Sequence, residues 1–123
     1  MHRSTELHRQ LLREEMARVR LPQDAHTCLA RYRAERSKWA CGDRALIAEM
    51  LRRGDRIERL MGRAGELTEE ELRTAAAAFH YLLKDDDHID DDVHGAVGQV
   101  DDALVMAAAD EALEGAFARL GIE

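Results

Sequence analysis

The sequence of 123 residues contains few of the residues that build sheets, disulfides and membrane spans. Aromatic residues make up 4 % of the chain, there is one proline, and there are two cysteines. Sheets favour β-branched and aromatic residues, whereas the alanine, leucine, glutamate and arginine that are abundant here favour helices. No apolar run approaches the ~20 residues that span a bilayer. The composition therefore predicts an all-α domain without a membrane span, which we expect to be cytoplasmic.

The two cysteines, Cys28 and Cys41, lack the CxxC spacing of metal-binding and redox motifs. Nothing in the sequence indicates secretion, so reduced, buried thiols are the expected state. A disulfide or a redox switch is the less favoured alternative.

The net charge of −7 is the sum of a basic N-terminal half and an acidic C-terminal half. Residues 1–63 carry fifteen Lys and Arg against nine Asp and Glu, whereas residues 64–123 carry three against sixteen. Such asymmetry occurs in nucleic-acid-binding proteins, but here the arginines are spread along amphipathic patterns, and only Tyr32 and Trp39 could stack on bases. We therefore expect the halves to attract each other, within the fold or between subunits. Nucleic acid is not an expected partner.

Apolar residues recur at helical spacing in five segments. The first helix is expected to begin at Ser4 or Thr5 and to bury one stripe of residues: Leu7, Leu11, Leu12, Met16 and Val19. Leu21-Pro22 ends this pattern, because the residue before a proline is pushed out of the α region. Asp24 is the predicted N-cap of the second helix, in which Tyr32 and Trp39 are predicted core residues.

The third helix carries Gly54 in its interior. A glycine there costs about 1 kcal/mol relative to alanine, so Gly54 indicates close helix packing or a kink. The charged residues around it are predicted to form a solvated face: Arg52, Arg53, Asp55, Arg56, Glu58 and Arg59.

The fourth helix has the clearest start signal. Thr68 and Glu71 have the spacing of a capping box, and Leu67 and Leu72 that of a hydrophobic staple. A fifth helix is predicted to bury the following residues and to end at Gly121: Val97, Val100, Leu104, Ala107, Ala108, Ala112, Leu113, Phe117 and Leu120. The predicted fold is one domain over residues 1–123, a compact bundle of about five helices in which an Asp-rich connection joins the last two.

That connection lies within residues 81–103, YLLKDDDHIDDDVHGAVGQVDDA, which hold eight aspartates. The stretch resembles the motif of the YkvA-like family, a domain of unknown function: a tyrosine, two apolar residues, PxD, IPD, a glycine and a paired DD. The matching residues are Tyr81, Leu82, Leu83, Asp87, Ile89, Asp91, Gly98, Asp101 and Asp102. Asp85 and Asp90 stand where the family usually has prolines, so this connection is looser or is held by side-chain caps. The resemblance implies a helical fold and an acidic site, and it implies no reaction.

Three roles compete for these aspartates. As caps and turn formers they accept backbone N–H groups, and Asp101 and Asp102 would lie near the start of the fifth helix, where negative charge is favoured. As oxygen ligands, Asp87, Asp91, Asp101 and Asp102 could converge on a divalent cation (Mg²⁺, Mn²⁺, Ca²⁺ or Zn²⁺), although the spacing matches no EF-hand or zinc motif. Nearby histidines could add nitrogen ligands: His80, His88 and His94.

As paired carboxylates beside histidines, the aspartates could perform acid–base catalysis, although there is no paired nucleophile and base, no phosphate loop and no cofactor fingerprint.

We favour caps for Asp87 and Asp91, and we leave Asp101 and Asp102 open between cap and ligand. The predicted function is a non-enzymatic cytoplasmic binding or assembly domain. The alternative is a metal-dependent, hydrolase-like enzyme that uses the Asp/His cluster. The apolar stripes of the third and fifth helices and the opposite charges of the two halves predict self-association as a symmetric dimer, or association with a protein partner.

Overall fold

The computed structural model describes residues 5–38, 44–83 and 91–123, and these residues are helical with no strand. Six α-helices follow one another: α1 (Glu6–Met16), α2 (Gln23–Glu35), α3 (Arg44–Met61), α4 (Glu69–Leu82), α5 (Asp91–Ala112) and α6 (Glu114–Leu120). Two short 3-10 turns, Arg36–Lys38 and Ala64–Glu66, follow α2 and α3. None of the helices in these ranges is long and apolar enough to cross a membrane. The all-α prediction is confirmed.

Helices α4 and α5 form the centre of the bundle. α5 packs mainly against α1, α3 and α4, and α4 packs mainly against α1, α2 and α5. The run from Ala75 to Phe79 is covered on all sides. Because alanine side chains are small, the neighbouring helices can approach the axis of α4 closely.

The side-chain caps of α1 and α4 lie where the sequence predicts them. The Thr5 hydroxyl accepts the backbone N–H of His8 at 3.2 Å. The Thr68 hydroxyl accepts the N–H of Glu71 at 3.1 Å, and Glu71 Oε1 accepts the N–H of Thr68 at 2.9 Å. The capping box therefore satisfies two backbone donors that the first turn of α4 leaves without helical partners.

Gly54 lies at a very close contact between α2 and α3. A Cβ at this position would lie 2.4 Å from Tyr32 Oη and 2.8 Å from Tyr32 Cζ. Tyr32 is fully buried, stacks on Phe79 with 4.4 Å between ring centroids, and donates its hydroxyl to Asp55 Oδ1 at 2.8 Å. Burial and this hydrogen bond raise the pKa of Tyr32, so the hydroxyl remains a donor. Close packing at Gly54 is confirmed.

The solvated face predicted on α3 is wrong in part, because two of its arginines turn towards α5 and α6. Arg53 is 7 % exposed, and Arg56 donates to Asp110 Oδ1 at 2.9 Å. The Arg56 guanidinium also lies 3.8 Å from the centre of the Phe117 ring. Burial raises the pKa of Asp110, and this effect outweighs the opposite effect of the two arginines. Helical spacing alone assigned these charges to solvent, whereas the structure pairs them across helices.

The predicted fifth helix is two helices in the structure. α5 begins at Asp91, inside the acidic stretch, and α6 begins after Leu113, a buried residue. The acidic stretch therefore overlaps the end of α4 and the first half of α5, while the last two helices of the described residues are α5 and α6, so an Asp-rich link between the last two helices is not confirmed. Asp101 and Asp102 lie about three turns into α5, so the prediction that they act at the start of this helix is wrong.

Three finer predictions are also wrong. Leu7 and Val100 were assigned to buried stripes, yet Leu7 is 61 % exposed and Val100 is 42 % exposed. Asp24 does not cap α2: it lies within the first turn, and its Oδ2 accepts the backbone N–H of Arg20 at 2.7 Å. That hydrogen bond closes the connection between α1 and α2, so the carboxylate acts on the preceding turn.

Cys28 is a free thiol buried in α2. Burial raises the pKa of this thiol to about 11, and the nearby Asp24 carboxylate contributes in the same direction. Cys28 thus fits the expected reduced, buried state, while Cys41 and Trp39 lie outside the described residues.

Candidate functional site

The residues predicted to form a cation site lie only partly within the described structure. Asp87 and His88 lie outside it, and Asp91 is the first residue of α5, with its side chain outside the described part. Asp101 and Asp102 are half-buried on α5. Among the side chains that the structure describes, no three His, Cys, Asp or Glu residues are grouped as metal ligands. The cation site that includes Asp87, His88 and Asp91 stays a prediction.

Asp101 is joined to α1 through a buried histidine. Asp101 Oδ1 lies 3.0 Å from His8 Nε2, and His8 Nδ1 lies 2.5 Å from Thr5 Oγ1. His8 is 6 % exposed. An ionised carboxylate only accepts hydrogen bonds. His8 Nε2 therefore carries the hydrogen and donates a hydrogen bond to Asp101, whether the ring is neutral or charged. Thr5, His8 and Asp101 together attach the first turn of α1 to α5.

A second acid–histidine pair lies two turns further along α1. Glu15 is 1 % exposed, and its Oε2 contacts His80 Nδ1 on α4. Arg18 donates to the other carboxylate oxygen, Oε1, at 3.1 Å. A buried carboxylate is costly unless it is paired and hydrogen-bonded, and these two contacts meet that need. His80, one of the histidines that could have served as a metal ligand, here holds α1 against α4.

Two buried polar residues of α1, His8 and Glu15, were not predicted from the sequence. His8, Leu12 and Glu15 have the spacing i, i+4 and i+7, which places them on one helix face. Leu12 is a core residue, so its neighbours on that face point towards the core as well. This spacing is the signal that could have identified them. Their partners could not be identified, since Asp101 and His80 lie 93 and 65 residues away in the chain.

Next to these pairs, α1, α4 and α5 enclose a groove of about 420 Å³. We call it the α1–α4–α5 groove. Five of its lining residues are apolar or nearly so: Leu12, Met16, Thr74, Ala108 and Ala112. Pockets that bind ligands have volumes of roughly 300–1,000 Å³. The groove is therefore large enough to take a small ligand or several side chains of a partner protein.

The groove is lined by charges of both signs. Arg9 and Arg13 line it from α1, whereas Glu70 lines it from α4 and Glu111 from α5. Both arginines also contact Glu6, at 3.1 and 3.0 Å, and they lower the pKa of that carboxyl group. Exposed ion pairs of this kind contribute little to stability. The pair between Arg13 and Glu6 can therefore be broken at small cost.

An apolar stripe continues from the groove along α5. Leu104, which is half-buried, and Glu111 follow Val100 by four and eleven residues. At about 100° per residue, these three positions lie within about 40° of one another around the helix axis, on one side of α5. Contiguous exposed apolar surface often marks an interaction site. The groove and this α5 stripe together form one candidate surface.

A second cavity, of about 310 Å³, lies on the outer side of α3. Two of its charged residues are paired within the chain: Asp55 accepts from Arg36, and Arg56 donates to Asp110. The α1–α4–α5 groove is the stronger candidate because its volume is larger and apolar residues line it, whereas only charged residues line the second cavity.

No protein-family model matches the chain, and neither a curated protein nor a solved structure matches it. The function is therefore inferred from the geometry of the chain itself.

Proposed function

We propose that this chain is a non-enzymatic cytoplasmic helical domain of the YkvA-like kind that assembles into a dimer through the α1–α4–α5 groove. The observation that carries the proposal is the groove, which is lined by apolar residues and by charges of both signs. A second copy of the chain suits it, since a surface that carries both signs can be complementary to itself. The α5 stripe adds apolar area to the same surface.

The contact between Asp101 and His8 supports a structural role for this aspartate. Asp101 is one of the four aspartates in the predicted cation site, and it already accepts a hydrogen bond from a buried side chain. A cation at Asp101 would compete with the His8 N–H for the carboxylate. Within the described residues, this favours an assembly domain over a metal-dependent hydrolase.

The proposal is tested by sedimentation equilibrium at tens of micromolar protein. The unaltered chain should be a dimer. Ala112→Arg places a long charged side chain at an exposed position in the groove, and this variant should be monomeric with an unchanged helical circular dichroism spectrum. Ala118→Arg makes the same change at an exposed position of α6 outside the groove, and it should remain dimeric. A monomeric unaltered chain, or a dimeric Ala112→Arg variant, would contradict the proposal.

A further inference from the structure

The second cavity, on the outer side of α3, is bordered by three arginines of that helix: Arg52, Arg56 and Arg59. Separations of four and three residues place these positions within about 60° of one another around the helix axis. Arg52 and Arg59 are about 10.5 Å apart along the axis, which is two turns. Arginine side chains are long and flexible, so these two can converge on one ligand in the cavity of about 310 Å³.

Two other charged residues of the cavity are neutralised by partners outside it. Arg36 donates to both carboxylate oxygens of Asp55, at 3.0 and 2.7 Å. Arg56 donates to Asp110 Oδ1 at 2.9 Å. Asp55 and Arg56 therefore have counter-charges already, and they leave little net charge for a ligand.

Arg52 and Arg59 have no such counter-charge. Both side chains are exposed. Arg59 donates to the backbone oxygen of Glu123, and in the part of the chain that the structure describes neither arginine forms an ion pair with an acidic side chain. The exposed Glu123 carboxylate also lines the cavity, and it supplies one negative charge against two positive ones. The remaining positive charge favours an anionic ligand.

We propose that this α3 cavity binds a phosphate group, either as inorganic phosphate or as part of a small phosphorylated molecule, with Arg52 and Arg59 as its binding residues. The fork of a guanidinium group matches the spacing of phosphate oxygens. A phosphate group carries close to two negative charges at pH 7 and three acceptor oxygens, so it can bind both arginines at once. The volume lies at the lower end of the range for small-ligand pockets, which leaves room for the organic part of such a molecule.

Isothermal titration calorimetry with sodium phosphate tests the site. Ionic strength is held constant, because salt screens exposed charges. Charge-assisted contacts from two exposed arginines lead us to expect a Kd of about 1 mM. Arg52→Gln should raise Kd about tenfold, because it removes one of the two arginines that bind the phosphate. Its side chain has no hydrogen bond or ion pair within the described residues, so circular dichroism should show an unchanged fold.

Two further variants separate a local site from general attraction between charges. Arg31→Gln makes the same change in net charge at an exposed position of α2 outside the cavity, and it should change Kd by less than about twofold. Glu123→Gln removes the opposing charge inside the cavity and should lower Kd about threefold. Absence of phosphate binding at about 10 mM, or equal weakening by Arg52→Gln and Arg31→Gln, would overturn the proposal.

A comparison of ligands identifies the source of the phosphate group. Glycerol 3-phosphate that binds more tightly than inorganic phosphate supports a small phosphorylated molecule, and equal or weaker binding supports the free ion. Acetate should bind at least about tenfold more weakly, because it has one charge and two oxygens. Acetate that binds as tightly as phosphate would contradict the proposed ligand class. The cavity and the α1–α4–α5 groove share no lining residue, so a monomeric chain would refute the proposed function and leave this inference standing.

Discussion

Replacing Gly54 by alanine tests the contact that sets the spacing between α2 and α3. The new Cβ would stand 2.4 Å from Tyr32 Oη, whereas ordinary contacts between such atoms lie at about 3.5–4 Å. The Tyr32 ring must therefore retreat by about 1 Å. It has little freedom to do so, because it is fully buried, stacked on Phe79 and hydrogen-bonded to Asp55.

The expected cost of Gly54→Ala follows from three effects. Overpacking of a core costs about 1–3 kcal/mol. Loss of the hydrogen bond from Tyr32 to the charged Asp55 costs about 1.5–3 kcal/mol. Alanine in place of glycine stabilises a helix by about 1 kcal/mol. We expect a net loss of about 2–4 kcal/mol in the free energy of unfolding, which lowers Tm by roughly 4 °C per kcal/mol in a domain of this size.

The assay is thermal and urea unfolding at one fixed protein concentration, since the proposed dimerisation would make Tm depend on concentration. Gly115→Ala is the matched control: it lies in α6, and no atom of the described residues outside its own helical backbone would lie within 4 Å of the new Cβ. This control should be neutral or stabilised by up to about 1 kcal/mol. In a Tyr32→Phe background, Gly54→Ala should cost less, because the closest atom and its hydrogen bond are already gone. The reasoning is refuted if Gly54→Ala behaves like Gly115→Ala, or if its cost is the same in both backgrounds.

Three further outcomes are expected. Thr68→Ala removes an acceptor of the capping box and should lower the free energy of unfolding by about 0.5–2 kcal/mol in urea unfolding. Hydrogen bonds from Arg119, and then from the Thr68 backbone, lower the pKa of Glu71 from 4.5 to about 2. Its contribution to stability is therefore complete above pH 4.5 and is lost as the pH falls towards 2, so Glu71→Gln should flatten this part of the acid unfolding curve. Asp101→Asn keeps an acceptor for the His8 N–H and should cost less stability than Asp101→Ala. If Mg²⁺, Mn²⁺, Ca²⁺ or Zn²⁺ raises Tm and Asp101→Asn removes the effect, Asp101 is a ligand and its structural assignment is wrong.

The features predicted correctly from the sequence are those set by neighbouring residues. Thr68 and Glu71 are three positions apart, so their reciprocal hydrogen bonds depend on the first helical turn alone. Gly54 stands out because glycine inside a helix has a cost that packing must compensate. Its partner Tyr32 could not be named, because that contact depends on how α2 lies across α3.

The wrong predictions concern residues whose surroundings are set by distant parts of the chain. Helical spacing placed Val100 with the buried residues of the last helix, but none of the described helices covers that side of α5. Arginine is usually exposed, yet Asp110 Oδ2 on α5 lies 3.9 Å from Arg53 Nε.

The candidate site was the least predictable part, because its residues come from three helices. The aspartate motif drew attention to Asp101, and the structure adds that His8 is its partner, 93 residues earlier. The groove itself depends on the spacing between α1, α4 and α5, which no local pattern specifies. An amphipathic pattern predicts which face of a helix is apolar. It does not predict where the apolar faces of neighbouring helices leave a groove between them.

The buried thiol of Cys28 provides a chemical measure of how often α2 opens. With a pKa of about 11, only about one molecule in ten thousand carries a thiolate at pH 7. Alkylating reagents react with thiolates, and the side chain is also covered by the core. Labelling therefore proceeds mainly through molecules in which an opening has uncovered Cys28. In a chain with Cys41 replaced by serine, the labelling rate would give the free energy of the opening that exposes Cys28, and comparison with the free energy of unfolding would show whether that opening is local or global.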